Sequence, residues 1–450
     1  PLTGELPAGE HPGGGALASK AFVAAAARMH LLRQSVSGSD ADAGTGEEAF
    51  AAGFAAARAQ VRVAVAAAAP EASRERINGL GVRVLSGEGR FTDPHTVAAN
   101  GYDVRARRFI IATGSSPAPP DIPGLAAVPY LTTETVFALE VCPRHLIVIG
   151  ADAVGLELAQ AFRRFGAAVT VLERAAPLAA FDPECAAIVL DALARDGIAV
   201  RTGVEIVSVR AENAGIAVDI AAGGGVETIE GSHILVAAGR RPNAETLGLD
   251  AAGIRHDARG VAVDRGLRTS NRQVYAIGEV TCGPALIHLA RHQAGLVVRN
   301  ALFRTPVTSD GNAVPIVIDT DPELAQVGHT EDTARAAVGR IRVLRSPYCE
   351  NDRARAVGVT TDPIKGHVKI VTDRKGAILG VTIVGAGAAE AITAWTLAIS
   401  QRLNIEAMAG VIVPYPTYAE VGKRAAMTYF TRGLTSPLVR RIIVWLRRFG

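Results

Sequence analysis

The strongest chemical signal in the sequence is a glycine-rich turn between an apolar segment and a helix. Residues 146–149 are Leu-Ile-Val-Ile, followed by Gly150-Ala-Asp-Ala-Val-Gly155, a helical stretch and a second apolar segment that ends at Glu173. Glycines at such spacing let the backbone approach a pyrophosphate, and an acidic residue at the end of the next strand can bind a ribose. The pattern predicts a dinucleotide-binding βαβ unit.

One position of this turn departs from the usual pattern, because Asp152 replaces the middle glycine. A carboxylate about 5 Å from a phosphate costs about 3 kcal/mol at an effective dielectric constant near 20. That is about a hundredfold in affinity, unless the side chain turns away. Glu173 suits the ribose hydroxyls of NAD, whereas Arg174 suits the phosphate of NADP. A unit of this type that no longer binds a dinucleotide is the alternative.

Composition and charge exclude several classes of protein. The 450 residues carry a formal net charge of +3, with 49% hydrophobic and 20% charged residues. This balance is typical of a multidomain globular protein and gives no reason to invoke nucleic acid. Neither a secretory signal nor a long apolar run is present. The cysteines (Cys142, Cys185, Cys282 and Cys349) are widely spaced, which predicts a cytoplasmic protein with packing thiols and without a metal site.

Further motifs extend the pattern along the chain. In order, they are residues 145–155, Arg240-Arg-Pro-Asn243, Thr269 with Tyr275-Ala-Ile-Gly-Glu279, Thr320-Asp-Pro-Glu323, and Tyr415-Pro-Thr-Tyr-Ala-Glu420. This series resembles the flavin-dependent pyridine nucleotide–disulfide oxidoreductases, such as dihydrolipoamide dehydrogenase and mercuric reductase, over about residues 8–430. The resemblance implies an α/β fold with FAD- and NAD(P)-binding Rossmann-like domains, and a C-terminal α+β dimerisation domain.

The resemblance also implies domain boundaries. It implies an FAD-binding-like domain at residues 1–143 and 263–310, an NAD(P)-binding domain at 144–262 and a dimerisation domain at 311–430. Residues 431–450 are predicted from their own sequence pattern to form a basic amphipathic tail. Since the chain begins after the position of the family's first βαβ unit, we expect an incomplete FAD domain and weakened FAD binding. The implied partners are a second copy of the chain and a small-molecule electron acceptor.

The family's redox cysteine pair is absent from the matching stretch. The family pattern G-G-x-C-x-x-x-x-C-x-x-S-K aligns without gaps with residues 8–20, which places His11 and Ala16 at the cysteine positions. Thiol–disulfide exchange needs an attacking thiolate and a second thiol, so we expect no dithiol chemistry. At the C-terminal motif Glu420 is retained, but Tyr415 replaces the family's histidine base. A phenol with a pKa of about 10 is a poor base at neutral pH.

Other positions match the family's cofactor contacts. The resemblance implies an ion pair between Lys20 and Glu157 beside the reactive flavin ring, although such a lysine is also compatible with an ordinary exposed side chain. Glu279 stands where the family has an aspartate near the ribityl chain. The remaining matched cofactor positions are Ser19, Thr113, Gly114, Gly239 and Gly278.

The C-terminal tail has a basic face and an apolar face. Its arginines (Arg440, Arg441, Arg447 and Arg448) recur opposite Leu438, Ile442, Trp445 and Phe449. Such a helix suits peripheral contact with an anionic membrane, or alternatively docking on the dimer or the core. Three functions therefore stay open: a flavin- and NAD(P)H-linked oxidoreductase without dithiol chemistry, a non-catalytic dimeric relic of the family, and a membrane-peripheral NADH:acceptor reductase.

Overall fold

The computed structural model describes residues 14–36, 46–213, 215–281, 283–358, 365–434 and 437–449. They form two compact units. Unit 1 contains the described residues up to Ala175 and Ile198–Asp310, and unit 2 contains Ala176–Gly197 and the described residues from Gly311 onward. Unit 1 therefore contains parts of both predicted nucleotide-binding domains, and the four-part division stays a prediction. His11 and Cys282 lie outside the described residues.

Helices and strands alternate irregularly along the chain. The helices are α1 (Gly14–Val36), α2 (Gly46–Ala68), α3 (Arg74–Gly79), α4 (Ala153–Arg164), α5 (Pro183–Arg195), α6 (Ile287–Phe303), α7 (Glu331–Val338), α8 (Asp352–Val357), α9 (Ala388–Ser400), α10 (Ile405–Gly410), α11 (Ala419–Leu434) and α12 (Pro437–Leu446). The strands are β1 (Gly89–Asp93), β2 (Thr96–Ala99), β3 (Tyr102–Arg105), β4 (Phe109–Ile111), β5 (Ser115–Pro117), β6 (Leu131–Thr132), β7 (His145–Ile149), β8 (Ala168–Glu173), β9 (Ala199–Thr202), β10 (Glu205–Glu212), β11 (Gly215–Ala222), β12 (Gly225–Gly231), β13 (His233–Val236), β14 (Arg240–Pro242), β15 (His256–Asp257), β16 (Gly260–Val261), β17 (Val274–Ala276), β18 (Ile316–Ile318), β19 (Leu324–Gly328), β20 (Ile341–Pro347), β21 (His367–Asp373) and β22 (Ile378–Val384).

A parallel sheet in the order β6-β13-β7-β8-β9 organises unit 1. Strands buried on both faces read as continuous apolar runs, which is why residues 146–149 indicated such a sheet. Helix α4 connects β7 to β8, and β10, β11 and β12 form a separate antiparallel sheet. The predicted parallel sheet is therefore confirmed. Its edge strand β6 precedes residue 144 and so lies outside the predicted range of residues 144–262.

An aromatic cluster fixes α1 and α2 against α4. Phe22 of α1 is 3% exposed, and its ring centroid lies 5.0 Å from those of Phe162 and Phe165. Phe54 of α2 meets Phe22 edge-on at 6.0 Å and Phe165 at 5.6 Å. Such ring pairs contribute about 0.5–1.5 kcal/mol each beyond the burial of their area. The cluster sets the position of the α1 helix relative to α4.

Unit 2 is built on an antiparallel sheet in the order β18-β19-β22-β21-β20. Its core includes Trp395 of α9 and Val421 of α11. The buried Nζ of Lys369 on β21 lies 2.8 Å from Asp182 Oδ2 and 3.0 Å from a carboxylate oxygen of both Glu184 and Glu331. Burial alone would lower the pKa of Lys369, but the hydrogen bonds to these carboxylates raise it. The α+β character predicted for this region is confirmed.

Two features of the secondary structure differ from the sequence-based expectation. The sequence Val-Arg-Val-Leu at residues 82–85 favours a strand, but these residues have no regular structure, because no described strand pairs with them. The pattern did not indicate β19, because Gln326 interrupts its short apolar run. The amide of Gln326 is buried: its Oε1 accepts from the Asp182 amide at 2.7 Å, and its Nε2 donates to Ala180 O at 3.0 Å. These partners are distant in sequence.

Removing the central ring of the aromatic cluster should destabilise unit 1. For Phe22→Ala we expect a loss of about 3–5 kcal/mol, since the substitution leaves a cavity among packed rings. Thermal unfolding followed by circular dichroism measures the change. The control is Phe303→Ala, because Phe303 is 72% exposed and should tolerate truncation. Equal melting temperatures for the two variants would contradict the role assigned to the cluster.

Candidate functional site

The predicted ion pair between Lys20 and Glu157 is confirmed. Lys20 Nζ lies 2.8 Å from Glu157 Oε1 and 2.9 Å from Oε2. The Glu157 side chain is 2% exposed and that of Lys20 is 44% exposed. A carboxylate at such depth needs a cationic partner to remain charged. The pair therefore holds the lysine ammonium against α4, while the Lys20 side chain stays partly exposed, and its role beside a flavin stays a prediction.

Ser19 precedes this lysine on α1 and has an unusual environment. The residue is 6% exposed, and its Oγ makes no hydrogen bond to any residue that the structure describes. A buried hydroxyl without a partner costs about 1–3 kcal/mol. Such an atom fits a site in which a polar group of a ligand completes the hydrogen bonding.

A second part of unit 1 places backbone turns at the ends of two neighbouring parallel strands, β4 and β17. Thr113 and Gly114 follow β4, while Gly278 follows β17. Gly114 has φ +68°, and a Cβ there would meet no atom within 4 Å. The Gly278 amide donates to Gln293 Oε1 at 2.7 Å. Ligands of open α/β sheets bind at the carboxyl ends of the strands, so these turns fit a cofactor contact.

Asn243 holds the turn after β4 in place. The Thr113 hydroxyl donates to Asn243 O at 2.6 Å, and Asn243 Nδ2 donates to Thr113 O at 3.0 Å. The backbone N–H of Asn243 also donates to Gly114 O at 2.9 Å. This part of the Arg-Arg-Pro-Asn motif therefore positions the turn.

Glu279 has its carboxylate engaged by protein side chains. Its Oε2 accepts hydrogen bonds from Ser115 Oγ and, at 3.3 Å, from Arg240 Nε. Arg240 follows Gly239, which has φ +138°, and its NH2 group donates to Glu134 Oε1 at 2.9 Å. One of the two carboxylate oxygens is thus used by protein groups, which leaves fewer acceptor positions for the hydroxyls of a ligand.

The glycine-rich turn after β7 is closely packed. Gly150 has φ +108°, and a Cβ there would lie 2.5 Å from Ala237 O. A Cβ at Gly155 would lie 2.3 Å from Gly150 O. Both positions therefore require glycine, because any larger residue would push α4 away from the sheet.

Beside this turn lies a cavity of about 490 Å³ at the carboxyl ends of β7 and β8. Glu173 is fixed there: its Oε2 accepts from the Ala151 amide and its Oε1 from the Ala175 amide, both at 2.8 Å. Asp152 and Arg174 also line the cavity. Its size and position suit part of a dinucleotide.

Asp152 gives the cavity a negative charge at the point where a phosphate would bind. It occupies the N-cap position of α4, but its side chain forms no capping hydrogen bond. Desolvation by the cavity walls raises its pKa, and the negative charge of Glu173 raises it further. Asp121 and Glu205 add two acidic side chains to the lining. The turn has the geometry of a pyrophosphate site but not its usual electrostatics.

Comparison with known proteins decides the family. The family model described as Pyridine nucleotide-disulphide oxidoreductase matches residues 4–294, and the model of that family's dimerisation domain matches residues 314–426. The chain belongs to the pyridine nucleotide-disulphide oxidoreductase family. Members of this family use FAD and NAD(P)H. The dimerisation domain supports the predicted homodimer.

Similar proteins agree with this membership. The chain is 36% identical to a mercuric reductase of Staphylococcus aureus over 78% of this chain and 64% of the relative. It is 37% identical to dihydrolipoyl dehydrogenase 3 of Pseudomonas aeruginosa over 78% of this chain and 74% of the relative. The crystal structure of LpdA from Mycobacterium tuberculosis has a TM-score of 0.79 and 26% identity, covering 92% of this chain and 89% of LpdA. The chain thus spans less than two thirds of the length of the mercuric reductase.

The C-terminal motif of the chain lies in unit 2. Tyr415 is 70% exposed, and its hydroxyl donates to Asp352 Oδ2 at 3.0 Å. This hydrogen bond and the negative charge of Asp352 raise the pKa of Tyr415, which makes it a weaker acid. Glu420 Oε2 accepts from the Thr417 amide at 3.2 Å, near the start of α11. Both side chains have structural partners within unit 2. Their assignment to a catalytic site stays a prediction, as does the expectation that Tyr415 is a poor base at neutral pH.

Several residues that shape these sites were not predicted. Ser115, Glu134 and Gln293 contact predicted residues, but each is far from its partner in sequence. Arg240 belongs to a recognised motif, yet its bond to Glu279 spans 39 positions. Within the described ranges, no group of three or more His, Cys, Asp or Glu side chains has an arrangement that could hold a metal ion.

Removing the carboxylate of Asp152 should strengthen dinucleotide binding. For Asp152→Gly we expect NADH to bind more tightly by about 1–3 kcal/mol, because repulsion of the pyrophosphate is lost. Asp152→Asn separates the loss of charge from the gain of a glycine. Calorimetric titration of the wild type and both variants measures the effect.

The pH dependence provides a control. The affinity of the wild type should rise as pH falls through the raised pKa of Asp152, since protonation removes the charge. Neither variant should show this increase of NADH affinity at low pH, because neither has a carboxylate at position 152. Three equal affinities with equal pH profiles would show that Asp152 does not act on the ligand.

Proposed function

We propose that this chain is a flavin- and NAD(P)H-linked oxidoreductase that transfers electrons to an acceptor other than a disulfide. The observation that carries the proposal is the ion pair between Lys20 of α1 and Glu157 of α4. This pair is retained although α1 contains no cysteine. Ala16, at the position of the family's second cysteine, precedes Lys20 by one helical turn on α1. Residues four apart share a helix face, so a methyl group stands beside the retained lysine.

The residues of unit 1 fit an FAD molecule only in part. Ser19, the turn formed by Thr113 and Gly114, and Gly278 would contact it, and Lys20 would lie beside its reactive ring. When bound, FAD supplies two-electron redox chemistry, while the ammonium of Lys20 stabilises negative charge. The engagement of Glu279 by Ser115 and Arg240 supports weakened FAD binding.

The cavity at Gly150 would take the nicotinamide nucleotide. Glu173, held by two backbone amides, is placed to accept the ribose hydroxyls. Asp121 and Glu205 make the lining acidic, which disfavours the additional phosphate of NADP. Arg174 is one basic residue in that lining. On balance these charges support NAD over NADP.

The proposed acceptor is not a disulfide, because Ala16 stands at the position of the family's second cysteine. Catalysis by the family runs through a thiolate and a resolving thiol. The acceptor that we propose is therefore a small molecule reduced directly, such as a quinone or a dye. A cytoplasmic location is proposed as well, because Cys142, Cys185 and Cys349 are free thiols.

Two other functions have specific support. Asp152 in the nucleotide turn and the engaged carboxylate of Glu279 favour a non-catalytic dimeric relic. The basic tail of residues 431–450 favours a membrane-peripheral NADH:acceptor reductase. The first alternative predicts no electron transfer at all, whereas the second differs from the main proposal only in where the protein acts.

An assay with two acceptors tests the proposal. The purified chain is dialysed, examined for flavin absorption and then supplied with FAD and NADH. We expect little flavin to remain after dialysis, reduction of a dye or quinone, and no reduction of lipoamide, because the dithiol pathway is missing. Lipoamide turnover above background would overturn the proposal, and failure to reduce any acceptor would favour the relic.

A matched pair of lysine variants tests the role of the ion pair. Lys20→Met should lower dye reduction by at least about tenfold, because a charge held beside the flavin is lost. Lys375→Met removes an exposed lysine of unit 2 and should leave the rate unchanged. Equal rates of dye reduction for the two variants would show that Lys20 has no role in catalysis.

A further inference from the structure

The final helix, α12 with the turn that follows it up to Phe449, has an unusual surface. Its large apolar side chains are between 46% and 73% exposed: Ile442 46%, Ile443 46%, Val444 58%, Trp445 56%, Leu446 52% and Phe449 73%. Globular proteins seldom leave adjacent large apolar side chains uncovered unless they bind something. We propose that this helix binds the surface of an anionic phospholipid membrane.

The charge distribution of the chain supports an anionic partner. Of the 47 Lys and Arg residues, seven lie within residues 421–450, where there is no Asp or Glu. The other 420 residues therefore hold 40 basic and 44 acidic residues. A chain with a net charge of +3 thus concentrates +7 in its last thirty residues and is negative elsewhere. Such a basic segment is attracted to acidic headgroups by about 1 kcal/mol per Lys or Arg.

Most of the apolar side chains lie on one face of the helix and the arginines on the other, but Val444, 58% exposed, lies among the arginines. At 100° per residue, Ile442, Trp445, Leu446 and Phe449 fall within about 100° of one another, whereas Arg441, Arg447 and Arg448 lie outside this arc. The rings of Trp445 and Phe449 stand 4.9 Å apart on the apolar face. The amide of Arg447 donates to Ile443 O at 3.0 Å, so helical hydrogen bonding continues past Leu446. Tryptophan and arginine are the residues favoured at a membrane interface.

The helix is suited to lie on a bilayer. α12 has 10 residues, whereas a membrane-spanning helix needs about 20. More broadly, no helix among the residues that the structure describes is long and apolar enough to span a membrane. An interfacial helix instead buries its apolar face by about 5–10 Å while its arginines contact the headgroups.

A second copy of the chain is a less suitable partner for this face. The match to the family's dimerisation domain ends at residue 426, before α12 begins. A symmetric contact between two such helices would also bring like charges together, which is unfavourable. Phospholipid headgroups carry the opposite charge, and acyl chains accept the apolar side chains.

Vesicle co-sedimentation of the full chain tests this proposal without flavin or NADH, so its outcome is independent of the redox function. The probes are vesicles of phosphatidylcholine alone and vesicles with about one third phosphatidylglycerol. We expect the chain to bind the anionic vesicles at least about tenfold more strongly than the neutral ones. High salt should weaken the binding to the anionic vesicles. Sedimentation with neither vesicle, or equally with both, would overturn the proposal.

Variants separate the two faces of the helix. Arg441→Gln, Arg447→Gln and Arg448→Gln together should weaken binding by on the order of a hundredfold, from about fivefold each. Trp445→Ser with Phe449→Ser should weaken it by at least about tenfold. The matched control is Leu302→Ser with Phe303→Ser, a pair that is 70% and 72% exposed, and it should bind as the wild type does.

Light scattering of the same proteins tests the competing partner. The proposal expects the tail variants to keep the mass of the wild type while they lose vesicle binding. Tail variants that change from dimer to monomer and still bind vesicles would assign the helix to subunit contact and refute the membrane role.

Discussion

The packing of α1 on α4 is the constraint on which the candidate site depends. Glu157 is buried, so its charge must be balanced, and Lys20 is the cation that the Phe22 cluster holds against it. The same α4 helix begins at the glycine-rich turn, where Gly155 allows close contact with Gly150. One helix therefore positions both the nucleotide turn and the lysine beside the proposed flavin position.

Two acidic side chains, Asp152 and Glu279, set the charge and hydrogen bonding of the proposed ligand positions on this frame. Asp152 adds a negative charge to a turn whose backbone still follows the family pattern, and desolvation together with Glu173 raises its pKa. Glu279 is drawn into a network with Ser115 and Arg240. We expect both features to weaken binding of anionic or polyhydroxyl ligands, while the strands and helices around them persist.

The sequence predicts those parts of the structure that depend on local pattern. Apolar runs predicted β7 and β8. The glycines predicted the turn between β7 and α4, because only glycine fits where the backbone packs so closely. The pair of Lys20 and Glu157, separated by 137 positions, followed only from the family resemblance. Bonds such as Arg240 to Glu279 depend on how distant strands meet. The environment of Gln326 likewise arises only once the sheet of unit 2 has formed.

We propose that flavin, and not a disulfide, takes up the electrons that NADH delivers to this chain. An anaerobic titration of the FAD-reconstituted protein with NADH, followed through flavin absorption, tests it most directly. Because flavin and NADH each exchange two electrons, the account predicts complete flavin reduction by one equivalent of NADH per bound flavin. A requirement for two equivalents would reveal a second two-electron group such as a disulfide. No bleaching of the flavin would show that electron transfer has been lost.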